Sequence, residues 1–270
     1  MEIKKLKFDC SDKNQTSALL NCMLVNARSL TKTTIDNLLN ILFKDEDIDV
    51  CCITETWLKS TDQAVLADIK FRGYEIVNSP RPTNKRGGGI AFMCKNNYKF
   101  AEIKTTKYVY FELQEVLFSC KTSCIRFSTI YRTGQLTANE KSKFLEELHD
   151  YLDSLLFKDG INIIWGDFNI SKDQIINKTF YILFMDLLES KGYKLIIDKP
   201  THQKNGVLDL VFVPTNYHFN NVTIFSPDSG IEISDHYPIK LQLPLEPKRK
   251  NLSTKIKFRD LNNIDRHLSI

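Results

Sequence analysis

Apolar residues fall into short runs along the chain, and their spacing switches between two periods. Residues 19–25 form an apolar run that ends at Asn26-Ala27-Arg28-Ser29. Ile35, Leu38, Leu39 and Leu42 then recur at helical spacing, and residues 49–54 read as a second buried strand. Strand, helix, strand, with each strand closing on a polar residue, predicts the opening of an α/β domain. From residue 73 to residue 131 the pattern becomes mainly β. Runs at 74–77, 89–94, 108–118 and 124–131 are rich in β-branched and aromatic residues, and Pro80-Arg81-Pro82 and Asn96-Asn97 mark turns between them. Gly87-Gly88-Gly89 reads as a loop leading into a strand, because no G-x-x-x-x-G-K-[ST] pattern follows and no helix opens there.

The longest predicted helix starts at Thr137, with Glu140 three residues on completing a capping box and Phe144, Leu148, Leu152 and Leu155 marking the buried face. A buried strand at 161–165 runs into Gly166-Asp167-Phe168-Asn169. A helix near 175–188 and strands near 207–213, 222–225 and 237–243 follow. The expected organisation is an N-terminal extension (1–18), a single domain (19–245) and a tail (246–270) that is basic at Lys248-Arg249-Lys250 and only weakly periodic.

Composition narrows this picture a little. A chain of 270 residues with 42% apolar and 26% charged positions can bury a core without disulfide or zinc staples. The net charge of +4 and pI near 8.5 suit a nucleic-acid partner without requiring one. The seven cysteines (Cys10, Cys22, Cys51, Cys52, Cys94, Cys120 and Cys124) are odd in number and several lie in apolar runs, so reduced, buried thiols are expected. Cys120 and Cys124 flank Lys-Thr-Ser, which reads as a hairpin turn, and the second ligand pair that zinc needs is missing. Residues 1–16 carry no apolar stretch of the secretory type, and no run approaches the ~18 residues of a membrane span. The expectation is a soluble nuclear or cytoplasmic protein, neither secreted nor membrane-bound.

Chemistry enters with the polar residues at strand ends: Asn26, Glu55, Tyr131, Asp167, Asn169, Asp209, Asp235 and His236. Any one of them alone reads as a cap or a turn, but eight such positions point to one rim of layered sheets. Their types suit phosphodiester hydrolysis. A hard cation such as magnesium takes carboxylate and amide oxygens, and Glu55 and Asp209 offer them. Asp167 is a candidate base for the attacking water, while Asn169, Tyr131 and His236 are candidate donors to phosphate oxygens. Asp235 is expected to fix the tautomer of the adjacent His236, although neighbouring strand residues face opposite ways. Plainer readings also apply: Asn26 and Ser234 as turn residues, His202 and His218 as surface histidines, and Trp57 and Trp165 as core. Lys85-Arg86 and Arg132 read equally as solvated charges or as contacts to backbone phosphate.

Six segments occur together in one order: Leu24-Val25-Asn26-Ala27-Arg28-Ser29-Leu30, Ile53-Thr54-Glu55-Thr56-Trp57-Leu58, Tyr131-Arg132, Gly166-Asp167-Phe168-Asn169, Leu208-Asp209-Leu210-Val211-Phe212 and Ser234-Asp235-His236. On these residues the chain resembles the endonuclease/exonuclease/phosphatase superfamily. Within it the likeness is closest to the apurinic-like endonuclease domains of non-LTR (LINE-type) retrotransposons. The resemblance implies a four-layer α/β/β/α sandwich of the deoxyribonuclease I type, with two packed mixed sheets flanked by helices. It implies a Mg2+ cofactor, with Mn2+ as a substitute, held by Asn26, Glu55, Asp209 and Asp235. Tyr131 would contact phosphate, Asp167 would orient water, Asn169 would stabilise pentacovalent phosphorus, and Asp235 with His236 would bind phosphate. Arg28, Arg132, Thr201 and Ser234 would complete the substrate contacts. The implied activity is nicking of one DNA strand to leave 3′-hydroxyl and 5′-phosphate ends, by a monomeric domain partnered in a full-length element by a reverse transcriptase. The alternatives are a phosphatase or phospholipid phosphodiesterase of the same superfamily, or an inactive domain that binds nucleic acid.

Overall fold

Period-two alternation in the first strand sorts its side chains between two layers. In β1 (Leu19–Asn26), Leu20, Cys22 and Leu24 enter one buried cluster while Met23 and Val25 enter another. β2 (Val50–Thr54) repeats this with Val50 and Cys52 against Cys51 and Ile53, and β4 (Ile90–Lys95) with Phe92 and Cys94 against Ala91 and Met93. Strands covered on both faces must be apolar throughout, which is why these runs showed no polar alternation. The computed structural model describes residues 19–41, 46–82, 87–119, 124–134, 136–170 and 178–245. The expected extension at 1–18, the tail from 246, Lys85-Arg86, Cys10 and Cys120 lie outside the described residues.

The second cluster packs beneath α1 (Lys32–Asn40) and α2 (Gln63–Phe71). Strands β3 (Tyr74–Ser79), β11 (Asn221–Ile224) and β12 (Ile239–Pro244) complete the first sheet, in the order β11-β12-β1-β2-β4-β3. Among the described residues its one parallel pair is β1 with β2. The second sheet comprises β5 (Lys99–Ile103), β6 (Glu112–Ser119), β7 (Cys124–Tyr131), β8 (Ile161–Asp167), β9 (Tyr193–Leu195) and β10 (Asp209–Pro214). It runs β5-β6-β7-β8-β10-β9, with β7 and β8 parallel. Between the sheets, Phe127 packs on Phe92 and stacks on Trp165 at 5.2 Å. On the outer face, Phe184 of α4 (Lys178–Ser190) meets Phe168 and Phe212, and α3 (Ala138–Leu155) adds Phe144. The result is two mixed sheets flanked by four helices, the expected four-layer sandwich.

The capping box forms as read: Thr137 Oγ1 accepts from Glu140 N at 3.3 Å and Glu140 Oε2 accepts from Thr137 N at 2.8 Å. Such a cap contributes about 1 kcal/mol. One strand is shorter than its composition suggests. β6 begins at Glu112 because Val109 N and Tyr110 N donate instead to the Glu147 carboxylate of α3, at 3.0 Å each. Cys22, Cys51, Cys52 and Cys94 are buried free thiols, and Cys124 is free and half-buried. Among the described residues no helix is long and apolar enough to cross a membrane.

Candidate active site

Two registers bring the polar strand ends to one rim. In the second sheet Glu112 pairs with Tyr131, Tyr131 with Asp167, and Asp167 with Asp209, a row across β6, β7, β8 and β10. In the first sheet Asn26 pairs with Thr54, so that Glu55 leaves β2 beside the end of β1. Backbone bonds carry this pairing past the strands, from Ala27 N to Thr54 O at 3.0 Å and from Ser29 N to Glu55 O at 2.9 Å. Positive φ at Arg28 (49°), Glu55 (53°), Trp57 (55°) and Asn169 (51°) turns each segment sharply at the rim. Left-handed non-glycine residues are costly, and they gather where a site over-determines them.

Asn26 joins the sheets. Its Nδ2 donates to Asp167 Oδ2 at 3.0 Å and to Glu55 Oε1 at 3.3 Å, and its Oδ1 accepts from Arg28 N at 3.0 Å. Asp167 also accepts from Asn169 N at 3.0 Å and Asn169 Nδ2 at 2.9 Å. Burial, then the Asp209 carboxylate, pushes the Asp167 carboxyl well above the usual range, opposed by His236. His236 Nδ1 lies 2.7 Å from Asp209 Oδ2. Burial disfavours the His236 cation, but the field and hydrogen bond of Asp209 outweigh it and raise the pKa to about 9. Burial, with Glu55 and Asp167 nearby, raises the Tyr131 phenol, which therefore stays protonated at neutral pH.

The donor set fits a hard divalent cation. Asp209 Oδ1 is buried without a hydrogen-bond partner among the described residues, and one oxygen or nitrogen each from Asp167, Asp209 and His236 lie within 4.8 Å of one another. Glu55 and the Asn26 carbonyl oxygen add the oxygen ligands that magnesium prefers. Glu55 Oε2 accepts from Trp57 Nε1 at 3.1 Å, which orients the carboxylate from behind.

Several expectations need correction. Asp235 does not fix His236; Asp209 does, from a different strand. Asp235 Oδ2 instead accepts from Arg28 Nη1 and lies 3.3 Å from His202 Nε2. His202 is no surface residue: it is 8% exposed and meets the His236 ring edge-on at 4.7 Å. Arg132 is 1% exposed, so it is no solvated charge, and two of its guanidinium nitrogens are taken up inside the protein. Its guanidinium donates to the carbonyls of Phe168 at 2.5 Å and Asn169 at 2.7 Å, and the Phe144 and Phe180 rings flank it. Thr201 is fully buried and its Oγ1 accepts from Leu208 N and Asp209 N, both at 3.0 Å, so it sets the start of β10 rather than touching substrate. Ser234 Oγ donates to Asn26 O at 2.6 Å and accepts from His236 N at 3.1 Å, an internal brace. Trp165 is core as expected, whereas Trp57 is half-buried and bonded to Glu55.

One participant has no signal in the sequence. Arg81 lies over the Tyr131 ring at 5.4 Å and pairs with Glu112 Oε1 at 2.5 Å. A side chain on Gly88 would collide with both Arg81 and Glu112, at 2.3 and 2.4 Å, which accounts for glycine there.

The model of the Endonuclease/Exonuclease/phosphatase family matches residues 23–236. No curated protein matches the chain in sequence. Among solved structures, the endonuclease domain of TRAS1, a telomere-specific non-LTR retrotransposon, aligns at 14% identity and TM-score 0.61, covering 84% of this chain and 99% of that one. A 3′ phosphatase, NExo, from Neisseria, bound to product DNA hairpin, aligns at 15% identity and TM-score 0.60, covering 82% and 98%. A mannosyl-6-phosphatase from Bacteroides thetaiotaomicron aligns at 15% identity and TM-score 0.57, with the same coverage. At these identities the likeness is one of fold, and an endonuclease domain, a 3′ phosphatase and a mannosyl-6-phosphatase share it.

Proposed function

We propose, from the premise that this chain belongs to the endonuclease/exonuclease/phosphatase family, that it is a magnesium-dependent endonuclease that nicks one strand of DNA. The observation that carries this reading is the set formed by Asn26, Asp167 and Asn169 facing the Asp209–His236 pair. It offers a base, phosphate donors and metal-binding oxygens on one rim. Asp167, held through both oxygens by Asn26 and Asn169, takes the proton of the attacking water and aims that water at phosphorus. Asn169 and the protonated His236 face the negative charge that builds on the phosphate oxygens. Tyr131, kept as a phenol, donates to the same group. Asn26 and Glu55 would hold the divalent ion, with Asp209 Oδ1 as a third ligand. When bound, the ion supplies neutralising charge to the phosphate and the leaving oxygen.

Support for DNA as substrate comes from Tyr131, since tyrosine at this position goes with abasic-site and retrotransposon nucleases in the resemblance. The fold shared with a retrotransposon endonuclease agrees with that reading. The products are then 3′-hydroxyl and 5′-phosphate ends, the hydroxyl being one that a reverse transcriptase can extend. A phosphatase reading draws on the fold shared with the 3′ phosphatase and the mannosyl-6-phosphatase.

Relaxation of supercoiled plasmid separates the two. Open-circle product that needs magnesium, disappears with EDTA and is lost in Asp167→Asn is the expected result. Release of inorganic phosphate from phosphomonoesters without any nicking would replace the endonuclease by the phosphatase.

A further inference from the structure

Glu112 and Arg81 stand on the rim but take no part in the reaction proposed above. Glu112 opens β6 and lies opposite Tyr131 in the sheet register. Arg81 follows β3, the edge strand of the other sheet. Arg81 Nε donates to Glu112 Oε1 at 2.5 Å, so the pair is a second tie between the sheets, two strands along from Asn26–Asp167. The side chains are 15% and 17% exposed, where a charge-assisted bond is little screened by solvent. The same guanidinium lies over the Tyr131 ring at 5.4 Å. A planar cation on an aromatic face holds the ring from that side, while the pairing of Tyr131 with Glu112 and Asp167 holds its backbone.

The second oxygen of Glu112 faces the glycine segment. Glu112 Oε2 accepts from Gly89 N at 2.7 Å. Gly88 O accepts from Trp57 N at 2.9 Å, and Gly89 O accepts from Thr56 N at 3.2 Å. Trp57 Nε1 in turn donates to Glu55 Oε2 at 3.1 Å. One carboxylate therefore serves both sides of the rim. Through Arg81 it reaches Tyr131, and through the glycines and Trp57 it reaches Glu55.

We infer that Arg81 and Glu112 are the positioning residues of this rim: Arg81 fixes the Tyr131 ring, and Glu112 couples that ring to the Glu55 carboxylate. The contact of Tyr131 with phosphate rests on the nuclease reading. The coupling of the two sides does not.

The first test is kinetic and uses the full chain. Arg81→Met should lower kcat for plasmid nicking about 100-fold, the scale of a reacting group displaced by about 1 Å, with KM little changed. Arg81→Lys keeps the charge without the flat face and should recover part of the rate. In a Tyr131→Phe background, Arg81→Met should cost nothing further, because it acts through the phenol. Were Arg81 itself the phosphate contact, the two losses would multiply and the salt dependence of DNA binding would weaken, which would overturn the inference.

The second test needs neither metal nor substrate. The chain has two tryptophans, and the Trp165 indole, bonded to Thr129 Oγ1 at 3.0 Å in the core, is an internal control. In 15N NMR, Glu112→Gln should speed hydrogen exchange at the Trp57 indole, the far end of the path, by about tenfold, the scale of one lost hydrogen bond. Trp165 should be unaffected. With ring-labelled tyrosine, the Tyr131 ring should flip faster in Arg81→Met. Should Glu112→Gln fail to fold, as loss of both indole signals would reveal, the shorter Glu112→Asp carries the same comparison. Unchanged exchange at Trp57 together with unchanged flipping at Tyr131 would overturn the inference. A wild type that nicks no plasmid would end the nuclease reading and leave these two signals to decide the coupling.

Discussion

Asn26 Nδ2 donates to Asp167 Oδ2 at 3.0 Å, a bond between side chains 141 residues apart that ties the end of β1 in one sheet to the end of β8 in the other. The same amide holds Glu55, so one side chain keeps two carboxylates from repelling each other.

Replacing that amide by a carboxylate reverses its effect. Asn26→Asp is expected to lower the melting temperature of the metal-free protein, by the ~1–3 kcal/mol of a lost buried partner and more from like-charge repulsion. For a domain of this size each kcal/mol is about 2–4 °C. Magnesium should stabilise the variant by more than it stabilises the wild type. Equal magnesium shifts in thermal melts of the two proteins would show that Asn26 is not at the ion.

The Asp209–His236 pair gives a pH signature. The folded-state pKa of His236, about 9, exceeds its unfolded value of 6.5, so the folded protein binds this proton more tightly. The stabilisation is therefore complete below pH 6.5 and is lost as pH rises through 9. Melting temperatures between these limits should fall in the wild type and stay level in His236→Gln, which lacks the titrating group. A wild-type curve that is flat over the same window would mean the ring is neutral.

Gly166 faces a steric limit. At φ 142° a β-carbon there would lie 1.8 Å from Ile130 O on the adjacent strand. Gly166→Ala should cost more than ~4 kcal/mol and leave little soluble protein, since neither backbone can yield without breaking the β7–β8 ladder. Soluble Gly166→Ala with a wild-type melt would contradict the packing described.

Arg132 separates a structural role from a binding one. Arg132→Met strands the carbonyls of Phe168 and Asn169, at about 1–3 kcal/mol for each stranded group. It should lower the melting temperature and loosen the turn that carries Asn169. Unchanged stability together with weaker DNA binding in a salt titration would restore the phosphate-contact reading.

The sandwich and its rim were legible because the residues that build them are local signals: apolar runs for buried strands, each closing on a polar residue. What stayed hidden depended on distant partners. α2 buries only Ile69, and β9 has three residues, so neither leaves a periodic trace. His202 looked like a surface histidine because its burial comes from the segment around His236, 34 positions on. Arg132 and Asp235 carry charges whose partners, two backbone carbonyls and an arginine from β1's exit, no spacing rule can supply. The tautomer of His236 was assigned to its neighbour for the same reason, whereas the partner lies 27 residues back on β10.

The pairing of β12 with β1 has a consequence for how the protein is made. β1 sits between β2 and β12, so, among the described residues, the first strand of this sheet pairs on one side with the strand made last. His236 precedes β12 by only a few residues. A nascent chain still on the ribosome therefore carries Asn26, Glu55 and Asp167 without the histidine that faces them. The rim is complete only once the segment leading into β12 has been made, and a chain that ends before it lacks the ring that pairs with Asp209.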